Sequence, residues 1–582
     1  MFAAILGIGR QLPDIPRSVG SQGPAKPTPV GRSGHVALVC AQDGVHASLG
    51  DRLWLTGRIR LDARDELRTR LGSLSASTSD AGLCLEAYAR WGEAFTDFIA
   101  GDFAFALWDD ERQRLLAVRD RLGVRALFQT KTDHAWLVSD SLDWLAAWEA
   151  GRPLDEYWIA DFLTLGVSRE FERTIYRDIK RVPPGHRLRL DDGGLSLRRY
   201  WKLDLAEPLY LPRTAAYHER FRELLSRAVS DRLPAGKVGI AMSGGVDSTT
   251  LAATAVEVTG NPSRIVAECE HYERLMHIRE DHYATLAARH LGIELRIRPA
   301  DDIAHDPQWR SRSLRTAEPT VARLNAHNMQ QVGREMAALS PVWLDGEGPD
   351  NALTLERNAY LGWLWRRRSW LKLSQTVLQY GFAKGFSGWS QTLARRTRMR
   401  HVPELEPFDV LPPWLREDFA KKLNLAERQK ALGLGGDSSH PWHPLAFDSF
   451  TSPAWQSYFD DHAFEESLGG FEWRYPFLDL RVLEFMLAVP PVPWGWKKHL
   501  IRTSMRGRLP RAVLAREKTP LGCYPEIATM RATGLPSLPE GHGVGRFVHP
   551  ASLPSLAAQD PDLALSLGVY ALDDWLAEKC QC

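Results

Sequence analysis

The chain has few cysteines and no pairing pattern among them. Its 582 residues include six cysteines, none in a Cys-x-x-Cys pair, so a disulfide framework or a zinc site is not expected and a reducing cytoplasm is. No apolar run approaches the roughly 18 residues that span a bilayer, and the start of the chain lacks the basic segment of a secretion signal. The formal net charge of +1 gives no overall attraction to nucleic acid.

The hydrophobic pattern changes once along the chain, which predicts two domains, 1–205 and 210–582. The first is β-rich and predicts a two-sheet sandwich. We expect a first strand at the start, a loop over 11–34, helices over Cys84–Trp91 and Leu142–Trp148, and strands over Val36–Cys40, Leu53–Arg60, Phe103–Trp108, Arg114–Arg119, Ala126–Gln129 and Ala135–Ser139.

Strands and helices alternate in the second domain, and this alternation predicts a doubly wound, mostly parallel sheet with ligands at the carboxyl ends of its strands. The predicted strands are Val238–Met242, Arg264–Glu268, Ile293–Ile297 and Val342–Leu344. The predicted helices are Ala215–Ser230, Ser248–Val258, Asp281–Leu291 and Val321–Ala338. The fold class is therefore α/β with an additional β-rich domain.

A glycine turn follows the first of these strands and opens a helix. Its sequence, Ser243-Gly244-Gly245-Val246-Asp247-Ser248, lets the backbone approach a phosphate closely, where the first helical N–H groups point at the anion. A second loop, Asp345-Gly346-Glu347-Gly348-Pro349-Asp350, follows another strand end. Carboxylates from two such loops, Asp247 and Asp350, suit Mg²⁺ that also binds phosphate oxygens.

Ser-Gly-Gly-Val-Asp-Ser resembles the pyrophosphate loop of the ATP-pyrophosphatase superfamily. Gly101–Asp109, Arg119–Arg125, Ser139-Asp140 and Pro183–His186 resemble the glutaminase domain of asparagine synthetase B-type enzymes. The resemblance implies an N-terminal Ntn-hydrolase-like sandwich and a C-terminal ATP-pyrophosphatase domain with helical additions. It also implies ATP and Mg²⁺, with the metal between Asp247 and Asp350. Lys498 matches the lysine that holds the ATP phosphates, with Lys497 as the alternative, and Lys518 matches the lysine beside the reacting carbonyl.

The front domain departs from that family where glutamine is hydrolysed. Phe2 replaces the nucleophilic cysteine, Thr56-Gly57 replaces an Asn-Gly that supplies an oxyanion donor, and Ala100 replaces an acid that holds the glutamine amine. We therefore expect a domain that makes no ammonia. The amine must then come from free ammonia, from the substrate itself, or from another acceptor.

Position 347 distinguishes among the relatives. β-Lactam synthetases carry a catalytic tyrosine three residues before the Asp350-type carboxylate, whereas this chain has Glu347, which resembles asparagine synthetases and lasso peptide cyclases. A carboxylate can take the proton from an attacking amine. The favoured hypothesis is a lasso-type macrolactam synthetase with a precursor peptide as substrate and a leader peptidase as partner. The alternatives are a small-molecule amide or lactam synthetase and a non-catalytic scaffold.

The segment 357–403 contains no acidic residue and interleaves basic with aromatic residues. This composition fits a wall that grips a peptide or a partner. It fits equally well helices that pack their aromatic residues inward and leave the basic ones in solvent.

Overall fold

The structure is a computed structural model. It describes residues 1–8, 12, 28–41, 44–72, 74–205, 207–275, 279–301, 306, 308–312, 314–384, 411–433, 436–517, 525–534, 538 and 543–580.

Seventeen strands are formed by the described residues. They are β1 (Phe2–Gly7), β2 (Thr28–Ser33), β3 (Val36–Cys40), β4 (Val45–Leu49), β5 (Leu53–Leu61), β6 (Gly101–Asp109), β7 (Arg114–Arg119), β8 (Phe128–Lys131), β9 (Ala135–Ser139), β10 (Lys180–Arg181), β11 (His186–Asp191), β12 (Gly194–Arg199), β13 (Val238–Ala241), β14 (Ile265–His271), β15 (Glu294–Pro299), β16 (Val342–Leu344) and β17 (Glu472–Arg474).

The α-helices connect and cover these sheets. They are α1 (Arg64–Leu71), α2 (Asp80–Trp91), α3 (Leu142–Ala146), α4 (Glu156–Leu165), α5 (Thr214–Arg232), α6 (Val246–Thr259), α7 (Glu280–Leu291), α8 (Ala326–Leu339), α9 (Pro349–Ala352), α10 (Arg357–Arg366), α11 (Trp370–Lys384), α12 (Glu417–Lys422), α13 (Leu425–Leu432), α14 (Pro444–Phe450), α15 (Ala454–Gly469), α16 (Leu480–Ala488), α17 (Pro491–Trp494), α18 (His499–Ser504), α19 (Arg511–Ala515), α20 (Pro525–Thr533) and α21 (Asp560–Cys580). Short 3₁₀ helices occur at Gly92–Asp97, Pro262–Arg264, Val321–Asn325, Pro476–Leu478, Trp496–Lys498, Gly543–Arg546 and Pro550–Ser552.

Two six-stranded antiparallel sheets form the front of the chain, in the orders β10-β8-β9-β1-β3-β2 and β12-β11-β7-β6-β5-β4. Side chains that alternate along facing strands, such as Phe2, Leu38 and Trp108, fill the space between the sheets. The expected sandwich is confirmed. The loop predicted over 11–34 is partly wrong because β2 lies within it and pairs with β3. β2 contains one proline and one glycine, which are typical of loops, so the sequence did not indicate a strand there. Both residues are tolerated because β2 lies at the edge of the sheet.

A five-stranded parallel sheet follows, in the order β15-β14-β13-β16-β17. β13 lies in the middle of this sheet. The chain passes from β13 to β14 on one side and later forms β16 on the other side. The loops after β13 and β16 therefore emerge side by side, at the position where ligands bind in such sheets. The predicted Val321–Ala338 helix is a 3₁₀ turn that continues into α8.

A further hydrophobic core joins the two ends of the chain. Phe162 of α4 and Leu567 and Trp575 of α21 are buried in it together with Ile5 of β1. The last long helix therefore packs against α4 of the front domain, within the same core as Ile5. Among the described residues, no helix has the length and apolarity needed to cross a membrane.

Candidate active site

The turn between β13 and α6 can be made only with glycine at position 244. Gly244 has a φ of +68°, and a Cβ atom there would lie 2.5 Å from the backbone nitrogen of Ala284. The start of α7 thus packs directly against the turn. Gly245 precedes the first turn of α6, which has no side-chain cap, and Gly245 and Ser248 both line the cavity described below.

The loop after β16 touches this turn. A Cβ atom on Gly346 would lie 3.3 Å from the backbone nitrogen of Ser248, so the two loops are in van der Waals contact. The Glu347 backbone N–H donates to Asp345 Oδ1 at 2.7 Å. This bond fixes the loop, and Asp350 then lies in the first turn of α9.

Lys498 reaches both carboxylates that the sequence predicts as metal ligands. Its Nζ lies 2.7 Å from Asp350 Oδ1 and donates a hydrogen bond to Asp247 Oδ2. Burial opposes the charged form of this lysine, but the two carboxylates outweigh burial and raise its pKa. Lys497 instead pairs with the exposed Glu517.

Both lysines have left-handed backbones, with φ of +47° at Lys497 and +55° at Lys498. Side chains other than glycine adopt this conformation at a cost of roughly 1–3 kcal/mol each, and such residues cluster at functional sites. The strained pair turns the two side chains in different directions, Lys498 onto the two carboxylates and Lys497 into solvent.

Two carboxylates that contact the same ammonium nitrogen are close enough to share one cation. Asp247 and Asp350 thus fit the oxygen ligands that Mg²⁺ takes in phosphate-binding sites, with Lys498 as a cationic partner. Ser243, Gly245 and Ser248 line the same space, and Gly244 lies behind them against α7. These residues fit a nucleotide with its metal.

Glu347 lies beside this group. Burial, followed by the charges of Asp345, Asp350 and Asp247, raises the pKa of its carboxyl group. A carboxylate with a raised pKa is suited to accept a proton. Lys518 lies outside the described residues. Arg516, two residues earlier, donates to the carbonyl oxygen of Ser243 at 2.8 Å, so the segment approaching Lys518 runs along the glycine turn.

The two loops open into a cavity of about 620 Å³. The opposite walls carry residues that the sequence analysis did not single out: Asn325, Asn328, Met329, Val332, His462, Glu465 and Trp473. The His462 ring nitrogen Nδ1 lies 2.9 Å from the Tyr475 hydroxyl, and Trp473 Nε1 donates to Glu465 Oε2 at 2.9 Å. The acid-rich helix around residues 460–466 was the sequence signal that could have identified this wall.

The structure shows where Phe2 and Thr56, which replace glutaminase groups, lie in the front domain, together with two of their neighbours. Phe2 is fully buried between the sheets and pairs with Cys40 in the neighbouring strand. Thr56 directs its hydroxyl to the Val39 carbonyl oxygen, and Arg58 forms an ion pair with Glu466 of α15. Cys40 is a buried free thiol.

The part of the basic and aromatic segment that the structure describes is helical, as α10 and α11. Tyr360 and Trp363 are buried with Trp442, whereas Trp365 and Trp370 are exposed. Some aromatic residues of this segment thus pack inward as expected, a role in gripping a peptide or partner stays a prediction, and 385–403 lies outside the described residues.

A β-sandwich followed by a parallel sheet with a phosphate-type turn at its switch point defines a class, that of a glutamine-amidotransferase-type domain joined to an ATP-pyrophosphatase domain. A glutamine amidotransferase domain family matches residues 55–201. The asparagine synthase family model matches residues 220–531, more than half of the chain. The chain belongs to the asparagine synthase family.

The curated relatives are distant. The chain is 32% identical over 197 residues to asparagine synthetase [glutamine-hydrolyzing] 3 of Bacillus subtilis, covering 33% of this chain and 31% of that protein. It is 26% identical over 477 residues to amidase chyE of Penicillium rubens, covering 74% of this chain and 68% of that protein. The chain thus spans about a third of the former. Among solved structures, the match to the B. subtilis glutamine phosphoribosylpyrophosphate amidotransferase covers 40% of this chain and 51% of that one at 16% identity, with a TM-score of only 0.21.

Proposed function

We propose that the protein is an ATP-dependent amide ligase that activates a carboxylate as an acyl-adenylate. The observation that carries this proposal is the convergence of Lys498, Asp247 and Asp350 beside the turn at Gly244. ATP would lie along Ser243–Ser248. Asp247 and Asp350 would hold Mg²⁺, which neutralises phosphate charge when bound.

The chemistry balances with the groups present. An oxygen of the substrate carboxylate attacks the α-phosphorus, and pyrophosphate leaves as the bond between the α- and β-phosphates breaks. Lys498 stabilises the charge that develops on the phosphates. An amine nitrogen then attacks the acyl carbon, Glu347 takes the amine proton, and AMP leaves as the amide forms. Lys518, from its position in the motif, would stabilise the oxyanion.

The amine is proposed to belong to the substrate, because the front domain lacks the groups that release ammonia from glutamine. Phe2, Thr56 and Ala100 stand where the family has the nucleophile, an oxyanion donor and the acid that holds the glutamine amine. An amine in the same molecule gains from proximity, which is worth up to about 7–11 kcal/mol of barrier.

The finer proposal is a macrolactam between the N-terminal amine of a precursor peptide and an Asp or Glu side chain of that peptide. The acid at position 347 supports it, because an α-amine has a pKa near 7.7–8.0 and needs only modest help from a base. The partners would be the precursor peptide and a leader peptidase. A leader peptidase is required because the α-amine must be freed before it can attack.

A small-molecule amide synthetase is the second candidate, and the 32% identity to an asparagine synthetase favours it. Exchange of labelled pyrophosphate into ATP, measured with candidate carboxylic acids and peptides, tests the adenylation step. Mass spectrometry then separates the two candidates: a peptide that loses one water while AMP forms supports the macrolactam. Turnover of a small acid with free ammonia supports the alternative, and no exchange with any acid or peptide would leave a non-catalytic scaffold.

A further inference from the structure

Helix α15 separates the active-site cavity from the front domain. Residues at helical spacing turn one side towards the cavity, namely Tyr458, His462 and Glu465. The other side, with Gln456, Asp460 and Glu466, faces the front domain. The two sides of α15 therefore face two different domains.

Four arginines of the front domain contact the second side. Arg119 Nη1 donates to Gln456 Oε1 at 2.9 Å, and Arg181 bonds both oxygens of Asp460 at 3.0 and 2.7 Å. The remaining two converge on one acid. Glu466 Oε2 accepts from Arg125 at 2.8 Å and from Arg58 at 3.0 Å.

Glu466 also connects these arginines to the parallel sheet. Its second oxygen, Oε1, accepts the backbone N–H of Trp473 at 2.9 Å. Trp473 lies in β17, opposite Trp343 of β16, and β16 leads directly into the loop that carries Glu347. Arg125 and Glu466 are almost fully shielded from solvent, so salt screens their attraction weakly.

We propose that the front domain, through Arg58 and Arg125 on Glu466, positions the α15 wall of the synthetase cavity. This role rests on the proposed ligase function, because the wall faces the place where the substrate would meet the activated nucleotide. Arg58, Arg125 and Glu466 are positioning residues and do not touch the reacting atoms. In this role the front domain shapes the side of the cavity at which the substrate would bind.

The test uses the full chain with three substitutions and a matched control. Glu466→Gln keeps an oxygen for the Trp473 N–H but removes the charge that the arginines neutralise. Arg58→Gln removes one arginine, and Arg125→Lys keeps a positive charge but loses the two-acid contact with Glu466 and Glu472. Arg52→Gln is the control, because it breaks the exposed Arg52–Glu111 pair of the same domain.

The first measurement is amide hydrogen exchange, which needs no substrate. We expect at least tenfold faster exchange over 454–474 in Glu466→Gln, a smaller increase in Arg58→Gln and Arg125→Lys, and none in Arg52→Gln. Exchange over β5–β7 should stay unchanged in all four proteins. Unchanged exchange over 454–474 in Glu466→Gln, with the protein folded, would overturn the proposal.

The second measurement is a binding and kinetic comparison. The Kd for MgATP should stay within twofold, because Asp247, Asp350 and Lys498 belong to other elements than α15, while the KM for the carboxylate substrate in pyrophosphate exchange rises at least tenfold. A variant with an equal loss in MgATP affinity would contradict a role confined to the substrate wall. If MgATP does not bind the unaltered protein, the ligase function fails, whereas the exchange result still decides the role of α15.

Discussion

The ammonium group of Lys498 lies 2.7 Å from Asp350 Oδ1. Asp350 lies in the first turn of α9 and Lys498 ends a 3₁₀ helix, where its backbone adopts a left-handed conformation. The same nitrogen also contacts Asp247. One cation and two carboxylates are therefore held where the turn at Gly244 would place phosphates, and the predictions below start from this group.

Replacing Lys498 with Met should lower the rate of ATP–pyrophosphate exchange at least 100-fold, because one fixed charge-stabilising donor is worth about that much. Lys497→Met is the matched control. Its ammonium pairs with the exposed Glu517, so exchange should change by less than about threefold. Equal losses in the two variants would remove Lys498 from its proposed role.

Gly244→Ala should abolish MgATP binding and lower stability. The added methyl group would meet backbone atoms of α7 at 2.5 and 2.8 Å, and neither atom can move independently of its helix. Gly260→Ala separates this clash from backbone strain alone, because Gly260 is also left-handed and has open space around it. We expect Gly260→Ala to cost about 1 kcal/mol and to bind MgATP normally, as measured by calorimetry.

Asp350→Asn should raise the Mg²⁺ concentration needed for half-maximal exchange at least tenfold, since a charged oxygen ligand is lost. Glu517→Gln, which removes an exposed acid of the same region, should leave the Mg²⁺ dependence unchanged. A normal Mg²⁺ titration of Asp350→Asn would show that Asp350 is not a ligand.

Glu465→Gln should make the protein more stable at pH 8 than the unaltered chain. Burial, followed by the charges of Asp461, Glu270 and Asp345, outweighs the bond from Trp473 and raises the pKa of Glu465 to about 7. The unfolded carboxyl group loses its proton near pH 4.3. Between these values the folded state binds more protons, so stability falls as the pH rises, by up to about 4 kcal/mol.

Urea denaturation at pH 4.5 and pH 8 checks this expectation. Glu465→Gln should equal the unaltered protein at the lower pH and exceed it at the higher pH, because the neutral amide is not penalised by burial. Glu335→Gln, on the exposed side of α8, should show no difference at either pH. A stability gain at pH 4.5 as large as that at pH 8 would mean that ionisation of Glu465 is not the cause.

Local sequence predicted the parts of the site that local chemistry determines. Gly244 and Gly346 could be recognised because each follows a strand and precedes a helix. Both ends of β16 were predicted correctly, because its three apolar residues end at Asp345. The edge strand β2 was missed, since edge strands tolerate the residues that mark loops.

The wall opposite the nucleotide loops was not predicted. Arg125 and Glu466 are 341 positions apart in sequence, and nothing near either residue identifies the other. Helical periodicity alone could not assign the two sides of α15, because both sides carry acids and aromatic residues. Only the folded chain shows that Glu465 faces the cavity while Glu466 faces the front domain.

The packing of α21 against α4 of the front domain has a consequence for how the chain can change. Phe162 of α4 lies against Gly568 of α21, so the final helix covers apolar surface that the front domain would otherwise expose to water. Expressing the two halves as separate proteins would leave each with an exposed apolar surface and a strong tendency to aggregate. The front domain therefore shields apolar surface of the rest of the chain, whatever chemistry it carries.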